Sequence, residues 1–538
     1  MGQLFGVDNP FLMGYNEVTT GAGTIQGTKE NITAFGKTYE YFAYRGIRYA
    51  KDTGGANRFK KPIPVDKFSG VYKATEYTNS CPQPSFGWDL LSITADPMFN
   101  TRTGEDCLSL SVFTPTDKGT TKAVMVWIHG GGWLIGAGLQ YFGGLLAPFG
   151  DVVYVSINFR LGPFGFLYTG DSNAPGNVAY FDQLLALKWV KDNIKDFGGD
   201  PDMVTIFGES AGGYDVSAHA ISPLSAGKGL FKRVISMSGS AVSPKENPMN
   251  LVNGAASAVI TRNLGLNLRC NDTNNPTLSN SKLLVACLRT KSAEDMIRYT
   301  DINGVLPKDA VVKGLLSFRP VLDGEFFPVH PAYLIQNKSF AAYQAFKDVD
   351  FIVSVTSNDG EIIFSSAIIP FLMPANIHHP FLIPKDFMHK TLLPAAYPSS
   401  THPGVAMAVA QEYIVDADLA ATNSSLRRRD ALIQALTDQY FVTAGISAAQ
   451  THVGMEGKGK TWMLYFDHNA SIFPKVYGPG NANHGADVAY CFGFPAMADN
   501  FVKLHGAKGQ ALFTSITTRD VDIAKASMTY FTNYAKFG

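Results

Sequence analysis

Short, nearly continuous apolar runs recur along the chain, separated by longer stretches with helical periodicity. Residues 124–128, 152–157, 204–207, 233–237, 351–355 and 462–466 are rich in β-branched and aromatic side chains, which predicts strands buried on both faces. Between the second and third runs, Phe181, Leu185 and Trp189 recur at four-residue steps, predicting a helix with one apolar face. Gly198-Gly199-Asp200-Pro201 should break that helix before the next strand. Near the end, Ala524, Met528, Phe531 and Ala535 mark a second amphipathic helix. The first hundred residues alternate short strand-like runs with turns. Residues 362–394 are apolar but dense in proline, so short helices and turns are expected there rather than one long helix. Strands alternating with helices predict an α/β fold with a large, mostly parallel central sheet flanked by helices. Residues 1–538 are read as a single domain with insertions.

Composition narrows the function classes. The chain has 538 residues, enough for a large core, and 45 basic residues balance 45 acidic ones. That balance gives no electrostatic footprint for nucleic acid or an anionic membrane. No apolar run is long enough to predict a membrane span. Met1 to Gly6 has neither the basic nor the apolar stretch of a signal peptide, so the chain is either the mature form of a secreted protein or intracellular. Five cysteines and five glycosylation sequons, at Asn31, Asn271, Asn337, Asn423 and Asn469, favour secretion. Cys81 and Cys107 bracket one loop; a bridge there would close about 25 residues, and two buried free thiols are the alternative.

The candidate chemistry centres on Gly208-Glu209-Ser210-Ala211-Gly212, directly after the 204–207 run and before a helical segment expected after Gly213. A serine on such a tight strand-to-helix turn is strained and exposed, and flanking side chains would collide with nearby backbone. The pentapeptide alone is weak, so its context decides. The 124–128 run leads straight into His129-Gly130-Gly131-Gly132-Trp133. Consecutive glycines after a strand let backbone N–H groups converge on one point, as an oxyanion hole needs, although they would equally suit a flexible loop. The sequence has no His-Glu-x-x-His, no paired Cys-x-x-Cys and no nucleotide-binding glycine loop, so no metal or cofactor is expected.

Five stretches together resemble the type-B carboxylesterases, the cholinesterase-like branch of the α/β-hydrolases. They are Glu105-Asp106-Cys107-Leu108, His129 to Trp133, Asn158-Phe159-Arg160-Leu161-Gly162, Phe197 to Pro201 and Phe207 to Gly213, in family order and spacing. Residues 318–324 and the C-terminal region continue the resemblance. It implies an α/β-hydrolase fold whose insertions form a substrate gorge. It also implies a second disulfide, Cys270–Cys287, beside Cys81–Cys107, leaving Cys491 free.

A serine hydroxyl needs a base, and the resulting imidazolium needs an orienting carboxylate, in the chain order nucleophile, acid, histidine. Ser210 is the expected nucleophile. Of eleven histidines, His129, His219, His378, His379 and His468 lack the order or the flanks. His484, in Asn483-His484-Gly485-Ala486-Asp487, matches the family's histidine loop. Asp359, followed by Gly360, is the expected acid, with Glu361 the competitor. The resemblance assigns the oxyanion hole to the N–H groups of Gly131, Gly132 and Ala211. Glu209 is expected to act as an electrostatic or water-positioning group in the gorge, or else as a structural partner at the elbow.

These residues predict a serine hydrolase of carboxylic esters with apolar acyl groups. The pattern is more similar to bile-salt-activated lipases and cholesterol esterases than to cholinesterases, on Asp359-Gly360 and on Phe473-Pro474-Lys475. A choline-ester hydrolase is the nearest alternative; its cation-binding tryptophan is met here by Met98-Phe99-Asn100, with Trp88 further upstream. A non-catalytic adhesion protein is the alternative from another class. The expected partner is a small-molecule or lipid ester, with a lipid interface or bile salt left open and no nucleic acid. No pattern specifies an oligomeric state. Tyr214 and Asp215, just past the elbow, depart from the family.

Overall fold

The structure is a computed structural model. It describes residues 9, 11–85, 102–117, 119–243, 251, 254–270, 280–299, 318–365, 383–396, 404–419, 423–469, 482–498, 500 and 516–538. Trp88, Met98 to Asn100, Phe473 to Lys475, His378, His379, Asn271 and much of 362–394 therefore lie outside the described residues.

Among the described residues, eleven strands form one mixed sheet. They are β1 (Leu12–Thr20), β2 (Gly23–Ala34), β3 (Lys37–Arg48), β4 (Val71–Lys73), β5 (Ser109–Pro115), β6 (Lys122–Ile128), β7 (Val153–Ile157), β8 (Gly199–Glu209), β9 (Arg233–Met237), β10 (Asp350–Thr356) and β11 (Thr461–Phe466). Their order is β1-β2-β3-β5-β7-β6-β8-β9-β10-β11, with β4 beside β2. From β7 to β11 every pairing is parallel, whereas β1, β2, β3, β5 and β7 pair antiparallel. The first two antiparallel pairings, β1–β2 and β2–β3, follow from tight connections. Phe35 and Gly36 alone join β2 to β3, both at positive φ (53° and 71°), the backbone that a two-residue hairpin turn demands. The run at 462–466, expected to be central, is β11 at the sheet edge, and Trp462, Met463 and Tyr465 are exposed.

The parallel strands are apolar throughout because helices cover both faces. On β6, Val124, Val126 and Ile128 join one core, and Met125 and Trp127 join the other. Helix α1 (Val178–Asn193) and helix α2 (Ala211–Ile221) pack on the first face through Tyr180, Leu184, Val216 and Ala220. The expected stripe on α1 packs on the first core, with Trp189 buried and Phe181 and Leu185 half-buried, and Tyr180, Leu184, Leu187 and Val190 are buried as well. The helix is enclosed on most sides, so a single-face periodicity understates its burial. Gly199 to Pro201, expected to break the chain, already belong to β8; Gly198 at φ 88° ends the preceding turn.

A third core stands apart, formed with helix α3 (Ser424–Thr437) and the π-helical turn Asp438–Val442 that leads to helix α4 (Thr443–Val453). The second face of the sheet is sealed by helix α5 (Ala486–Cys491) and helix α6 (Thr518–Phe537). Ala524, Met528, Phe531 and Ala535 are all buried, as their spacing predicts. Within 362–394 the described parts are short helical turns. Among the described residues no helix is long and apolar enough to cross a membrane.

Candidate active site

Ser210 occupies the turn between β8 and α2 at φ 59°, ψ −123°, a conformation that L-residues adopt only when their surroundings enforce it. The flanking glycines allow the close packing that holds it. A Cβ on Gly208 would lie 2.4 Å from the Ile128 carbonyl, and one on Gly212 2.1 Å from the same oxygen. Helix α2 begins at Ala211, not after Gly213. Gly213 sits inside its first turn, where a Cβ would fall 2.4 Å from Met237 O, so this glycine allows close packing on β9.

The loop after β6 turns through three successive positive φ angles: Gly131 at 103°, Gly132 at 63° and Trp133 at 59°. Gly131 O accepts the N–H groups of Leu134 and Ile135 at 3.1 and 3.0 Å, folding the loop back. Next to it, a Cβ on Gly130 would lie 3.1 Å from Ser210 Cβ. Among the described residues, no hydrogen bond takes the N–H of Gly131, Gly132 or Ala211. Ala211 opens a helix, where the first N–H groups have no intrahelical partner.

Asp359 follows β10 and is completely buried. Its Oδ1 lies 2.8 Å from His484 Nδ1. Its Oδ2 accepts the Ser238 hydroxyl at 2.9 Å and the Thr356 N–H at 2.8 Å. The acceptor at Nδ1 fixes the proton there and leaves Nε2 as the basic nitrogen. Nε2 faces Glu209 Oε1 at 3.1 Å, and no hydrogen bond joins it to Ser210 Oγ among the described residues. Such catalytic contacts commonly close only around substrate. Burial depresses the His484 pKa, but Glu209 and Asp359 outweigh it and hold the imidazole above its ordinary value. Burial pushes Glu209 up to about 7, against the pull of His484. Glu361 opens a short helix two residues on, and burial raises its carboxyl as well.

Residues 15–538 match the carboxylesterase family profile. A para-nitrobenzyl esterase of Bacillus subtilis is 33% identical over 89% of this chain and 83% of its own length. A medium-chain fatty acyl-CoA hydrolase precursor of Anas platyrhynchos is 31% identical over 97% of this chain and 84% of its own. An acetylcholinesterase-1 of Trittame loki is 40% identical, over 60% and 56%. The chain belongs to the carboxylesterase family. It is a carboxylic-ester hydrolase of α/β-hydrolase fold.

In this carboxylesterase the competing histidines among the described residues, His129, His219 and His468, are occupied elsewhere. His129 stacks 4.3 Å from Phe159 with Nδ1 on Gly130 O, and burial lowers its pKa to about 4. His219 bonds Gln183 and Ser225. His468 bonds Asp520 at 2.8 Å. Both expected disulfides, Cys81–Cys107 and Cys270–Cys287, are present, and Cys491 is free and buried.

Several residues around Ser210 escaped sequence reasoning. A cavity at Ser210 is lined by Trp133, Tyr214, Ser238, Tyr440, Phe441 and Ala444 among others. Phe441 also packs its ring 4.9 Å from the His484 ring. Ser238 carried a usable signal, since it follows the C-terminal end of a parallel strand, where α/β sites gather. Tyr440 and Phe441 carried none; they reach the cavity from the π-helical turn.

Proposed function

We propose that this carboxylesterase cleaves its substrate through an acyl-enzyme on Ser210, with His484 as base and Asp359 as orienting acid. The pairing of His484 Nδ1 with the buried Asp359 carboxylate carries the reading. Ser210 Oγ attacks the ester carbonyl as its proton passes to His484 Nε2. The N–H groups of Gly131, Gly132 and Ala211 receive the developing oxyanion. His484 then protonates the leaving alcohol, and water repeats the sequence to release the acid. Glu209, beside Nε2, stabilises the imidazolium and positions that water. Asp359 is favoured over Glu361 because, of these two carboxylates, Asp359 is the one that bonds His484, at Nδ1. The chain acts as one domain.

The aromatic cavity wall supports uncharged esters with medium or long apolar acyl groups, and the names of the Bacillus and Anas relatives fit such a range. Identity to the acetylcholinesterase favours choline esters as the second reading. A lipid surface or bile salt is a further partner consistent with the first. Two disulfides and exposed sequon asparagines at 337, 423 and 469 support secretion.

An organophosphate should label Ser210, and Ser210→Ala should leave only trace turnover. Asp359→Asn should cost far more activity than Glu361→Gln; the reverse ranking would move the acid role. From butyrate to octanoate, four buried methylenes at about 0.8 kcal/mol each would raise kcat/KM by up to about a hundredfold if expressed in the transition state. A several-fold rise across p-nitrophenyl esters is the minimum expected. Decline beyond acetyl, with efficient acetylthiocholine turnover, would establish the choline-ester reading instead.

A further inference from the structure

Behind the nucleophile lies a chain of buried polar groups that the acyl-transfer steps do not use. It starts at Asp215, five residues after Ser210 on α2 and fully buried. Asp215 Oδ1 accepts the indole N–H of Trp133 at 2.8 Å, and Oδ2 accepts Gln183 Nε2 at 2.6 Å. Gln183 Oε1 lies 3.0 Å from His219 Nε2. His219 Nδ1 lies 3.2 Å from Ser225 Oγ, which itself donates to His219 O at 2.7 Å. Because Gln183 gives its N–H₂ to the carboxylate, its carbonyl must face His219, so His219 carries its proton on Nε2. Burial holds that imidazole neutral, with its pKa lowered to about 3.

Trp133 is the point where this chain meets the reaction. It is the third residue of the positive-φ run, directly after Gly131 and Gly132, and it also lines the cavity at Ser210. A bulky residue at φ 59° is an outlier that persists only where surrounding contacts over-determine it. Three contacts do so: the indole bond to Asp215, the Trp133 carbonyl accepting Gly162 N–H at 2.6 Å, and the ring edge-on to Tyr214 at 5.4 Å. The first and third come from α2, the helix that carries Ser210 at its N-terminus.

We propose that Asp215 is a positioning residue for the reaction: through Trp133 it locks the glycine loop to the nucleophile helix and so sets the oxyanion donors relative to Ser210. This rests on the assignment of Ser210 and of the Gly131 and Gly132 donors made above. The lock acts where charge develops, so losing it lowers kcat and the affinity for tetrahedral mimics, while ground-state ester binding changes little. The bond needs an acceptor at Oδ1, not a charge. With asparagine at 215, Oδ1 still accepts from Trp133. Gln183 then flips to offer Oε1 to the new amide, and His219 moves its proton to Nδ1, donating to Ser225 Oγ. Beyond Trp133, each bond of the chain is then remade in the opposite sense.

The test measures kcat and KM for a p-nitrophenyl ester, and Ki for an alkyl trifluoromethyl ketone, in Asp215→Ala, Asp215→Asn, Trp133→Phe and the Asp215→Ala/Trp133→Phe pair. Thermal melts identify the folded variants. Asp215→Ala and Trp133→Phe should each lower kcat at least tenfold with KM within about threefold, and raise Ki in proportion. Asp215→Asn should stay within about threefold of the parent. The double variant should be no worse than the poorer single variant, because both remove the same bond. A folded Asp215→Asn as impaired as Trp133→Phe, a loss confined to KM, or losses that multiply in the double variant would each overturn the proposal. Should Asp215→Ala fail to fold, Asp215→Asn and Trp133→Phe still decide it. Organophosphate labelling of the parent enzyme separates the two ideas. Labelling away from Ser210 removes the nucleophile assignment itself, whereas labelling at Ser210 with a failed variant series removes only the role of Asp215.

Discussion

At the residue scale, His484 is governed by the carboxylates around it. Asp359 and Glu209 contact it directly, and Asp487, three residues on, adds a further field. Neutral imidazole is the active base, so activity should fall as pH drops through the His484 pKa. Each neighbouring anion raises that pKa. Glu209→Gln removes one anion, so the acid limb of kcat/KM should move to lower pH, by roughly one pH unit. A pH-rate profile with its acid limb unmoved would show that Glu209 does not act on the imidazole. Ser210 was legible in the sequence because its strained turn can be built only with Gly208 and Gly212 beside it. The choice of Asp359 over Glu361 was less so. Two carboxylates two residues apart look alike in sequence, and the Thr356 N–H and Ser238 hydroxyl that hold Asp359 come from two different strand ends.

At the element scale, the acid loop is pressed against helix α3. A Cβ on Gly360 would lie 2.3 Å from Thr437 N and 2.5 Å from Ile433 O, both backbone atoms. The Gly360 N–H also bonds Thr437 Oγ1 at 2.8 Å. Gly360→Ala must therefore displace the loop or the helix. A shift of about 1 Å at Asp359 can cost up to a hundredfold in rate, so kcat should fall at least tenfold; a variant with unchanged kcat would show that the contact yields harmlessly. Across the sheet, Glu30 on β2 and Arg45 on β3 form a fully buried pair, with Thr28 and Tyr41 also donating to the carboxylate. Burial would raise the Glu30 pKa, but Arg45 and these bonds outweigh it and hold it at about 2, below 4.5. A folded value below the unfolded one stabilises above about pH 4.5, and the contribution is lost as pH falls towards 2. Glu30→Gln should cost about 3 kcal/mol at neutral pH by stranding Arg45. Urea unfolding should show that gap closing between pH 5 and 2; a gap independent of pH would show that the pair does not titrate with folding.

For the whole molecule, two cores on opposite faces of one sheet and a third core beside the cavity hold the site between them. Cys491 lies in the second core, where burial, with Asp487 and Glu209, pushes its thiol well above the ordinary range. No thiol should react with a disulfide reagent in the native enzyme, and one should react per chain once denatured. Three thiols in denaturant would mean an open bridge; rapid labelling of the native enzyme would mean that the core around α5 opens.

The sequence by itself determined the parallel half of the sheet, the elbow, the glycine loop and the amphipathic C-terminal helix. Each depends on local sterics or on a periodicity that burial imposes directly on neighbouring residues. Tertiary structure alone decided the rest. Helix α1 is enclosed on most sides because α2 and the sheet close over it, which no single-face pattern could reveal. Strand β11 is an edge because no described residues add a strand beyond it, and a strand's own residues cannot report a missing neighbour. Tyr440 and Phe441 reach the cavity, and Asp215 reaches Trp133, across separations of 230 residues or so in one case and 82 in the other. Such meetings depend on how whole elements pack, and the chain carries no local record of them.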